Sequence, residues 1–558
     1  MDLTPSSHVD TFARDHLPPR ELWPTFEFTL PELQFPDRLN AAVELLDRQV
    51  ERWGPDRVAL RTPAGETWTY GELRLRSDQV AQVLTEDLGV VPGNRVVLRS
   101  PNNPWTVAAW LGVLKAGGVV VTTMHALRAA EIGQLIEATR PSVALVDERF
   151  AEDLDTAVAR SGADVAVLRY GGDGPEDLTV RCAAKDGVFD AVQTAADDVA
   201  LLGPTSGTTG VPKITMHFHR DILANAETFG RHVLRPEPED LFTATAPFAF
   251  TFGLGALVVF PLRFGASSLL LEKAAPLEFA EHVRASGATV IFSAPTAYRA
   301  ILREGREDLL AGVRTAVSAG EHLPAPDWEE MRRRTGLEVI DGIGSTELLH
   351  IFVSSPVGEI RPGATGRPVP GYRATILDDD GHEVGPDVAG RLAVIGPTGC
   401  RYLDDPRQAA YVVNGWNVTG DTFSRDADGY FHYQARRDDM IVSSGYNIAG
   451  PEVETALSRH DDVLESAVVG RPDEARGTVV CAFVVLREGV VGDDGKRREL
   501  QDFVKQTIAP YKYPRDVRFV DVLPRNPSGK LQHFRLRQEL AEQAARPASP
   551  ASAPVSGS

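Results

Sequence analysis

The ten residues PTSGTTGVPK, Pro204 to Lys213, decide how the rest of this chain is read. They follow a short apolar run, Val199 to Leu202. Gly207 and Gly210 let the backbone turn sharply and come close to a ligand. The hydroxyls of Thr205, Ser206, Thr208 and Thr209, the loop amides and the Lys213 ammonium form a donor-rich set that suits a polyphosphate. A Walker A loop has four residues between its glycines and Ser or Thr after its Lys. Here only two separate Gly207 from Gly210, and Ile214 follows Lys213. A GxxG taken alone marks an ordinary surface turn; the whole ten-residue string points to phosphate.

At 558 residues the chain is too long for one core, so two or more domains are expected. Hydrophobic content of 43% and charged content of 24% are those of a soluble globular protein. A formal charge of −20 argues against nucleic-acid partners, which need a basic face, but leaves room for a nucleotide in a locally positive pocket. Cys182, Cys400 and Cys481 lie far apart and form no metal-like cluster, which suits a reducing compartment. The start, MDLTPSSHVDTF, lacks the basic and apolar regions of a signal peptide. The longest apolar candidate, Leu254 to Leu262, falls short of the ~20 residues of a membrane span and contains Pro261. A cytoplasmic enzyme without membrane partners is expected, as a monomer or homodimer.

Short β-branched runs alternate with helical patterns. Val96–Leu98, Gly118–Val121, Val143–Val146, Val165–Leu168, Val290–Phe292, Val313–Val317 and Val339–Ile340 read as strands, and Pro104–Lys115 as a helix. This alternation predicts an α/β fold, layered, with largely parallel sheets. After about residue 437 a compact α+β block follows, with strands at Ala467–Val469, Val479–Val485 and Val517–Val522 and a helix at Arg497–Ile508. The expected domains are 1–437, large and N-terminal, and 438–544, small and mobile; the Ala/Pro/Ser-rich tail 545–558 is expected to be disordered.

Four further segments carry chemistry: DGIGSTE at Asp341–Glu347, TGD at Thr419–Asp421, ARRDDMIVSSGYNI at Ala435–Ile448, and PRNPSGK at Pro524–Lys530. Singly, each has a bland reading as a turn or a solvated charge. Together and in this order they resemble the adenylate-forming superfamily, which includes acyl-CoA ligases, peptide-synthetase adenylation domains and firefly-type luciferases. The resemblance spans about residues 40 to 540. It implies that Thr205 to Gly210 and Lys213 cradle the phosphates of ATP, and that Gly320, Glu321, Asp341 and Gly342 help hold the nucleotide. Thr346 would lie beside the α-phosphate and Glu347 would be the Mg²⁺ carboxylate, an oxygen ligand for a hard cation. Asp421 and Arg436 resemble the ribose-binding pair, Asp438 the hinge between domains, and Gly445 the glycine lining the pantetheine channel. The family pattern has Gly where this chain has Ala435. Lys530 resembles the C-terminal catalytic lysine. A cation bridging the carboxylate and the α-phosphate offsets the repulsion of two anions. The implied reaction forms an acyl-adenylate and pyrophosphate; a thiol then displaces AMP.

In that family the acyl pocket is built from segments that here read PFAFTFGLG (Pro247–Gly255), SAGE (Ser318–Glu321) and LLHIF after Glu347. Phe250, Thr251, Phe252, Gly344 and His350 are the expected substrate contacts; the alternating Phe248, Phe250 and Phe252 could equally stack in a core. Pro247–Gly255 contains no acid to pair an α-ammonium, which disfavours amino-acid activation. Ile343 in DGIGSTE, with Leu349-His350-Ile351-Phe352 after it, resembles benzoate-type CoA ligases. The stretches from His217 to Pro236 and from Phe248 to Ser267 resemble 2-aminobenzoate (anthranilate) CoA ligases more closely. An aniline is mostly neutral at pH 7 and needs no pairing carboxylate, and His350 could accept from or donate to an ortho substituent.

The expected activity is an ATP-dependent aryl-acid CoA ligase, with Mg²⁺ and coenzyme A. No carrier domain is fused in this sequence, so free CoA is the expected thiol. The alternatives are a stand-alone aryl-acid activator loading a carrier protein, a luciferase-like oxygenase, and an inactive binding homologue. Intact Glu347, Asp421, Arg436 and Lys530 argue against the last.

Overall fold

Runs of five buried residues cannot serve one-faced strands; they need cover on both sides, the condition of a parallel sheet in an α/β layer. Arg95–Arg99, Val119–Thr123 and Val143–Asp147 are such runs, buried throughout. In the computed structural model, which describes residues 3–205, 212–436, 440–443, 446–473, 477–508, 510–525 and 531–545, they form the middle of a six-stranded sheet. Its order is Ala166–Tyr170, Val143–Asp147, Arg95–Arg99, Val119–Thr123, Val199–Thr205, Lys213–Phe218. All neighbours pair in parallel except the last two, which are antiparallel. Helix Pro104–Lys115 begins at Asn103, whose side chain accepts from the Thr106 amide at 2.9 Å, with Pro104 in the first turn. At its far end Lys115 is buried between Asp47 and Asp78, its Nζ at 2.7 and 2.6 Å from them.

A second sheet of nine strands carries the DGIGSTE segment. Its parallel centre contains Leu241–Ala244, Val290–Ser293, Thr315–Ser318 and Ile340–Gly344, in that order across the sheet. A third, antiparallel sheet holds Arg373–Leu377, Gly390–Ile395 and Trp416–Arg425. The apolar run at Leu254–Leu262 is helical, part of a continuous helical segment over Thr251–Phe264.

The chain divides into two compact units, Met1–Tyr433 and Gln434–Ser558. The second is α+β. Val463–Asp473 pairs antiparallel with Gly477–Leu486, which pairs parallel with Asp516–Phe519. Side chains alternate across this sheet. Val468, Val480, Ala482 and Val484 meet Leu500 and Val504 of helix Asp494–Thr507 on one face. Ala467, Val469, Cys481 and Phe483 meet Leu536 and Leu540 of helix His533–Ala545 on the other. The last strand stops at Phe519, short of the expected Val522, whose side chain is 77% exposed and has no face to cover. Among the described residues no helix is long and apolar enough to cross a membrane.

One device belongs to no single sheet. Arg401 to Leu403 lie along the outer edge of strand Lys213–Phe218: the Met216 amide donates to the Arg401 carbonyl at 2.7 Å and the Leu403 amide to that of Ile214 at 2.9 Å. Arg401 is fully buried, paired with the equally buried Asp221, its guanidinium 3.8 Å from the centre of the Phe218 ring. Asp221 Oδ2 also accepts from the Phe218 amide at 2.9 Å, capping the helix His219–Asn225. Removing one member of such a pair leaves an uncompensated charge in the interior, a cost of about 3–5 kcal/mol. Arg401→Met is expected to lower the denaturation midpoint of the first unit accordingly. Adding Asp221→Asn, which keeps the cap and discards the charge, should recover most of the loss. Equal midpoints for the single and double variants in urea would contradict this account.

Candidate active site

Strands Val199–Thr205 and Lys213–Phe218 form a hairpin in which Thr205 pairs with Lys213. The phosphate-loop residues Ser206, Gly207, Thr208, Thr209 and Gly210 lie outside the described residues, so the hairpin supplies their two anchors. Gly203 is needed here for closeness: a Cβ on it would sit 2.9 Å from Thr215 Oγ1 and 3.0 Å from Thr346 Cγ2. The strand that leads into the loop and the expected α-phosphate neighbour, Thr346, thus come together where Gly203 has no side chain.

Asp341, Gly342 and Gly344 lie on strand Ile340–Gly344, with Asp341 paired in register with Ser318 of the neighbouring strand. Burial pushes the Asp341 carboxyl well above the usual carboxylate range, against the weaker opposing pull of the Gly342 amide and the Ser318 hydroxyl, and its Oδ1 makes no well-formed hydrogen bond among the described residues. A protonated or hydrogen-bonded Asp at this strand end is suited to meet a polar ligand group. Gly320 follows the Ser318 strand at φ +87, with open space where a side chain would be, and Glu321 stands beside it, half-buried.

Thr346 and Glu347 form a single 3₁₀ turn, Thr346–Leu348, capped by Ser345, whose Oγ accepts from the Leu348 amide at 3.3 Å. Glu347 is tied to the phosphate hairpin by a residue the sequence did not suggest. Tyr402 Oη donates to Glu347 Oε1 at 2.6 Å and accepts from Lys213 Nζ at 3.3 Å. The Lys213 ammonium also lies 5.0 Å from the Tyr402 ring centre. Tyr411 stacks edge-on against Tyr402, and its Oη lies 3.4 Å from Ser345 Oγ. Burial and the adjoining Glu347 charge raise the Tyr402 phenol far above its ordinary value, so it acts as a neutral donor. Nothing in the spacing of Cys400–Asp405 signals this role; it follows from the edge pairing of Arg401–Leu403.

Two residues on from Glu347 the chain turns through Leu349 at φ +72, an uncommon conformation for a leucine, and delivers His350 into an aromatic box. The imidazole lies 5.3 Å from the Phe229 ring, 5.8 Å from Phe252 and 4.7 Å from Phe260. Gly255 borders it; a Cβ there would fall 2.5 Å from His350 Cδ2. Neither ring nitrogen makes a well-formed hydrogen bond among the described residues, the Phe252 backbone being its one polar neighbour of note, and burial pushes the imidazole down to about 3. His350 is therefore neutral, offering one donor and one acceptor. The phenylalanine trio does not act as a unit. Phe248 enters the core against Trp110, while Phe250 precedes the helix that begins at Thr251, and Phe252 reaches the box. Phe229 and Phe260 escaped the sequence reading, although both lie in the stretches that carried the anthranilate-ligase resemblance.

Asp421 is half-buried on strand Trp416–Arg425, its amide donating to Thr419 Oγ1 at 3.3 Å, and it contributes to the electrostatic field at Tyr411. Arg436 ends strand Phe431–Arg436, but its side chain is outside the described set, as are Asp438, Gly445 and Lys530 entirely.

The sequence profile of the AMP-binding enzyme family matches residues 46–401, well over half the chain, and that of the AMP-binding enzyme C-terminal domain matches residues 452–530. The benzoate–CoA ligase of Thauera aromatica is 34% identical over 519 residues, which cover 91% of this chain and 98% of that protein. The 4-hydroxybenzoate–CoA/benzoate–CoA ligase of Rhodopseudomonas palustris is 34% identical over 514 residues, covering 89% and 94%. Among solved structures, the anthranilate CoA ligase AuaEII in complex with anthranoyl-AMP is similar with a TM-score of 0.88 at 31% identity, over 93% of this chain and 100% of that one. A benzoate CoA ligase from Burkholderia xenovorans LB400 gives 0.82 at 31% identity, over 89% and 100%. The chain belongs to the AMP-binding enzyme family, the adenylate-forming superfamily, as an acid–thiol ligase similar to the aryl-CoA ligases.

Proposed function

We propose that this enzyme activates 2-aminobenzoate, or a close benzoate analogue, as its acyl-AMP and transfers the acyl group to coenzyme A. The observation that carries the aryl specificity is His350: a neutral, buried imidazole without a well-formed hydrogen bond, walled by Phe229, Phe252 and Phe260, three residues from Glu347. A flat apolar acid suits such walls. An ortho amino or hydroxyl group would supply the hydrogen bond that the buried nitrogens lack. Because an arylamine is neutral, the absence of an acid in Pro247–Gly255 is what this substrate requires.

In the first half-reaction a carboxylate oxygen attacks the α-phosphorus of ATP, forming the acyl–phosphate bond as pyrophosphate leaves. In the second, the thiol sulfur attacks the acyl carbon, AMP departs with the bonding electrons, and the thiol proton is lost. Lys213 and the loop Thr205–Gly210 would hold the β- and γ-phosphates. Thr346 would meet the α-phosphate, Asp421 and Arg436 the ribose hydroxyls, and Asp341 and Gly342 the base. Lys530 would bridge carboxylate and α-phosphate, and Gly445 would leave room for the pantetheine arm after a hinge motion at Asp438. The Glu347 carboxylate and Thr346 hydroxyl are hard oxygen donors, a set that fits Mg²⁺, which takes few protein ligands and completes its shell with water and phosphate. Bound there, Mg²⁺ would neutralise phosphate charge.

The deciding assay incubates the enzyme with ATP, Mg²⁺, CoA and a panel of benzoate, anthranilate, salicylate and a medium-chain fatty acid, with mass spectrometry of adenylates and thioesters. Anthraniloyl-CoA or benzoyl-CoA should dominate. Adenylate without thioester would point to a carrier-protein acceptor, and a fatty-acyl product would overturn the aryl assignment. Lys530→Ala should slow adenylate formation by ~10²–10³, the typical cost of losing one positioned donor or charge; unchanged turnover would remove Lys530 from catalysis. His350→Leu should cut the preference for anthranilate over benzoate by about tenfold, the worth of one buried hydrogen bond. The same variant tests the proton balance. The unfolded chain binds a proton near the ordinary histidine pKa of 6.5, whereas folded His350 refuses it until about 3. Its contribution to stability is complete above the upper value and declines as pH falls towards the lower one. His350→Leu should therefore flatten the fall in melting temperature between about pH 7 and about pH 5; an unaltered slope would mean the imidazole is charged or exposed.

A further inference from the structure

We infer that Tyr402 is a positioning residue of the nucleotide site, one that presets the Glu347 carboxylate and the Lys213 ammonium and so tunes the affinity for a divalent cation with ATP; this rests on the function proposed above. Three side chains from three separate segments meet at one hydroxyl. Lys213 opens the strand that leaves the phosphate loop, Glu347 lies in the turn after the DGIGSTE strand, and Tyr402 lies on the segment paired to the Lys213 strand. The hydroxyl satisfies both with the correct polarity, accepting from Lys213 at 3.3 Å and donating to Glu347 at 2.6 Å.

Chemistry explains why an intervening hydroxyl serves better than direct contact. A lysine bonded straight to the carboxylate would form an ion pair that competes with cation and phosphate alike. Through Tyr402, Glu347 keeps its charge and its second oxygen for a cation, and Lys213 keeps two of its three N–H donors for phosphate. The short donation to Oε1 fixes one orientation of the carboxylate, sparing the rotamer entropy that a cation would otherwise have to oppose.

The tyrosine itself is held from behind. Its amide donates to Gln408 Oε1 at 2.9 Å, its backbone lies on the strand edge, and its ring packs against Tyr411. The preceding residue, Arg401, is locked by Asp221. The hydroxyl is thus a fixed point, and the two charged side chains adapt to it.

The test is Tyr402→Phe, which keeps the ring and deletes only the hydroxyl. Mn²⁺ binding to the enzyme–ATP complex without acid, followed by electron paramagnetic resonance, should weaken about tenfold, as for loss of a hydrogen bond to a charged group. The KM for ATP should rise several-fold, while thioester formation from pre-made acyl-adenylate stays within about twofold. Incorporating p-aminophenylalanine at position 402 returns a donor to the same place and should recover most of the Mn²⁺ affinity. An unchanged Mn²⁺ affinity in a folded Tyr402→Phe enzyme overturns the inference, as does failure of p-aminophenylalanine to restore an affinity that was lost. If Tyr402→Phe does not fold, the p-aminophenylalanine enzyme still decides: near-native affinity supports the role and a tenfold loss removes it. A wild-type enzyme that binds Mn²⁺–ATP and forms adenylate separates these outcomes from failure of the proposed function, in which wild type would do neither.

Discussion

The buried pair of Arg401 and Asp221 is the constraint on which the site depends. An ion pair with no exposed surface is costly to form and costlier to half-remove, so it tolerates one arrangement of its surroundings. That arrangement lays Arg401–Leu403 against strand Lys213–Phe218, covering what would be an open sheet edge. Asp221 caps the following helix, and the guanidinium fills the space beside Phe218, Phe26 and Trp23. One pair thereby joins a helix start, a sheet edge and the N-terminal residues Trp23 and Phe26.

Function is distributed around that anchor by small allowances of space and strain. Gly203 lets Thr346 approach the phosphate hairpin, and Gly255 makes room for His350. Leu349 accepts a positive φ so that the chain, having placed Glu347 beside Tyr402 and Lys213, can turn His350 into an apolar box within three residues. A charged, oxygen-rich region and a dry aromatic one are thus separated by one turn of backbone. Activation of an aromatic acid requires both environments side by side, because the carboxylate must meet phosphate while its ring leaves water.

The motifs read from the sequence are shared between two compact units. The first unit carries the phosphate hairpin, Glu347, Asp421 and His350; the second is an α+β body with cores on both faces of its sheet. Its two cores are built by the alternation of Val468, Val480 and Val484 with Ala467, Val469 and Phe483.

The sequence alone determined the secondary structure and the inventory of reactive groups. Short β-branched runs alternating with helical patterns made the parallel strands legible, and helix Pro104–Lys115, which carries its own cap and proline signals, was legible too. The phosphate loop, DGIGSTE and the later motifs are contiguous, and contiguity survives in one dimension. Tertiary structure alone decided which distant residues serve them. Tyr402 reaches Lys213 and Glu347 because a sheet edge is completed from 189 and 55 positions away. Phe229 and Phe260 meet His350 because helices pack over the strand that delivers it. Phe248, Phe250 and Phe252 alternate as a strand would, yet the chain turns helical at Thr251 and sends Phe248 and Phe252 to different neighbours. Local spacing fixes what a backbone segment can become, whereas partners across the fold are chosen by packing and charge satisfaction, which depend on the whole chain at once.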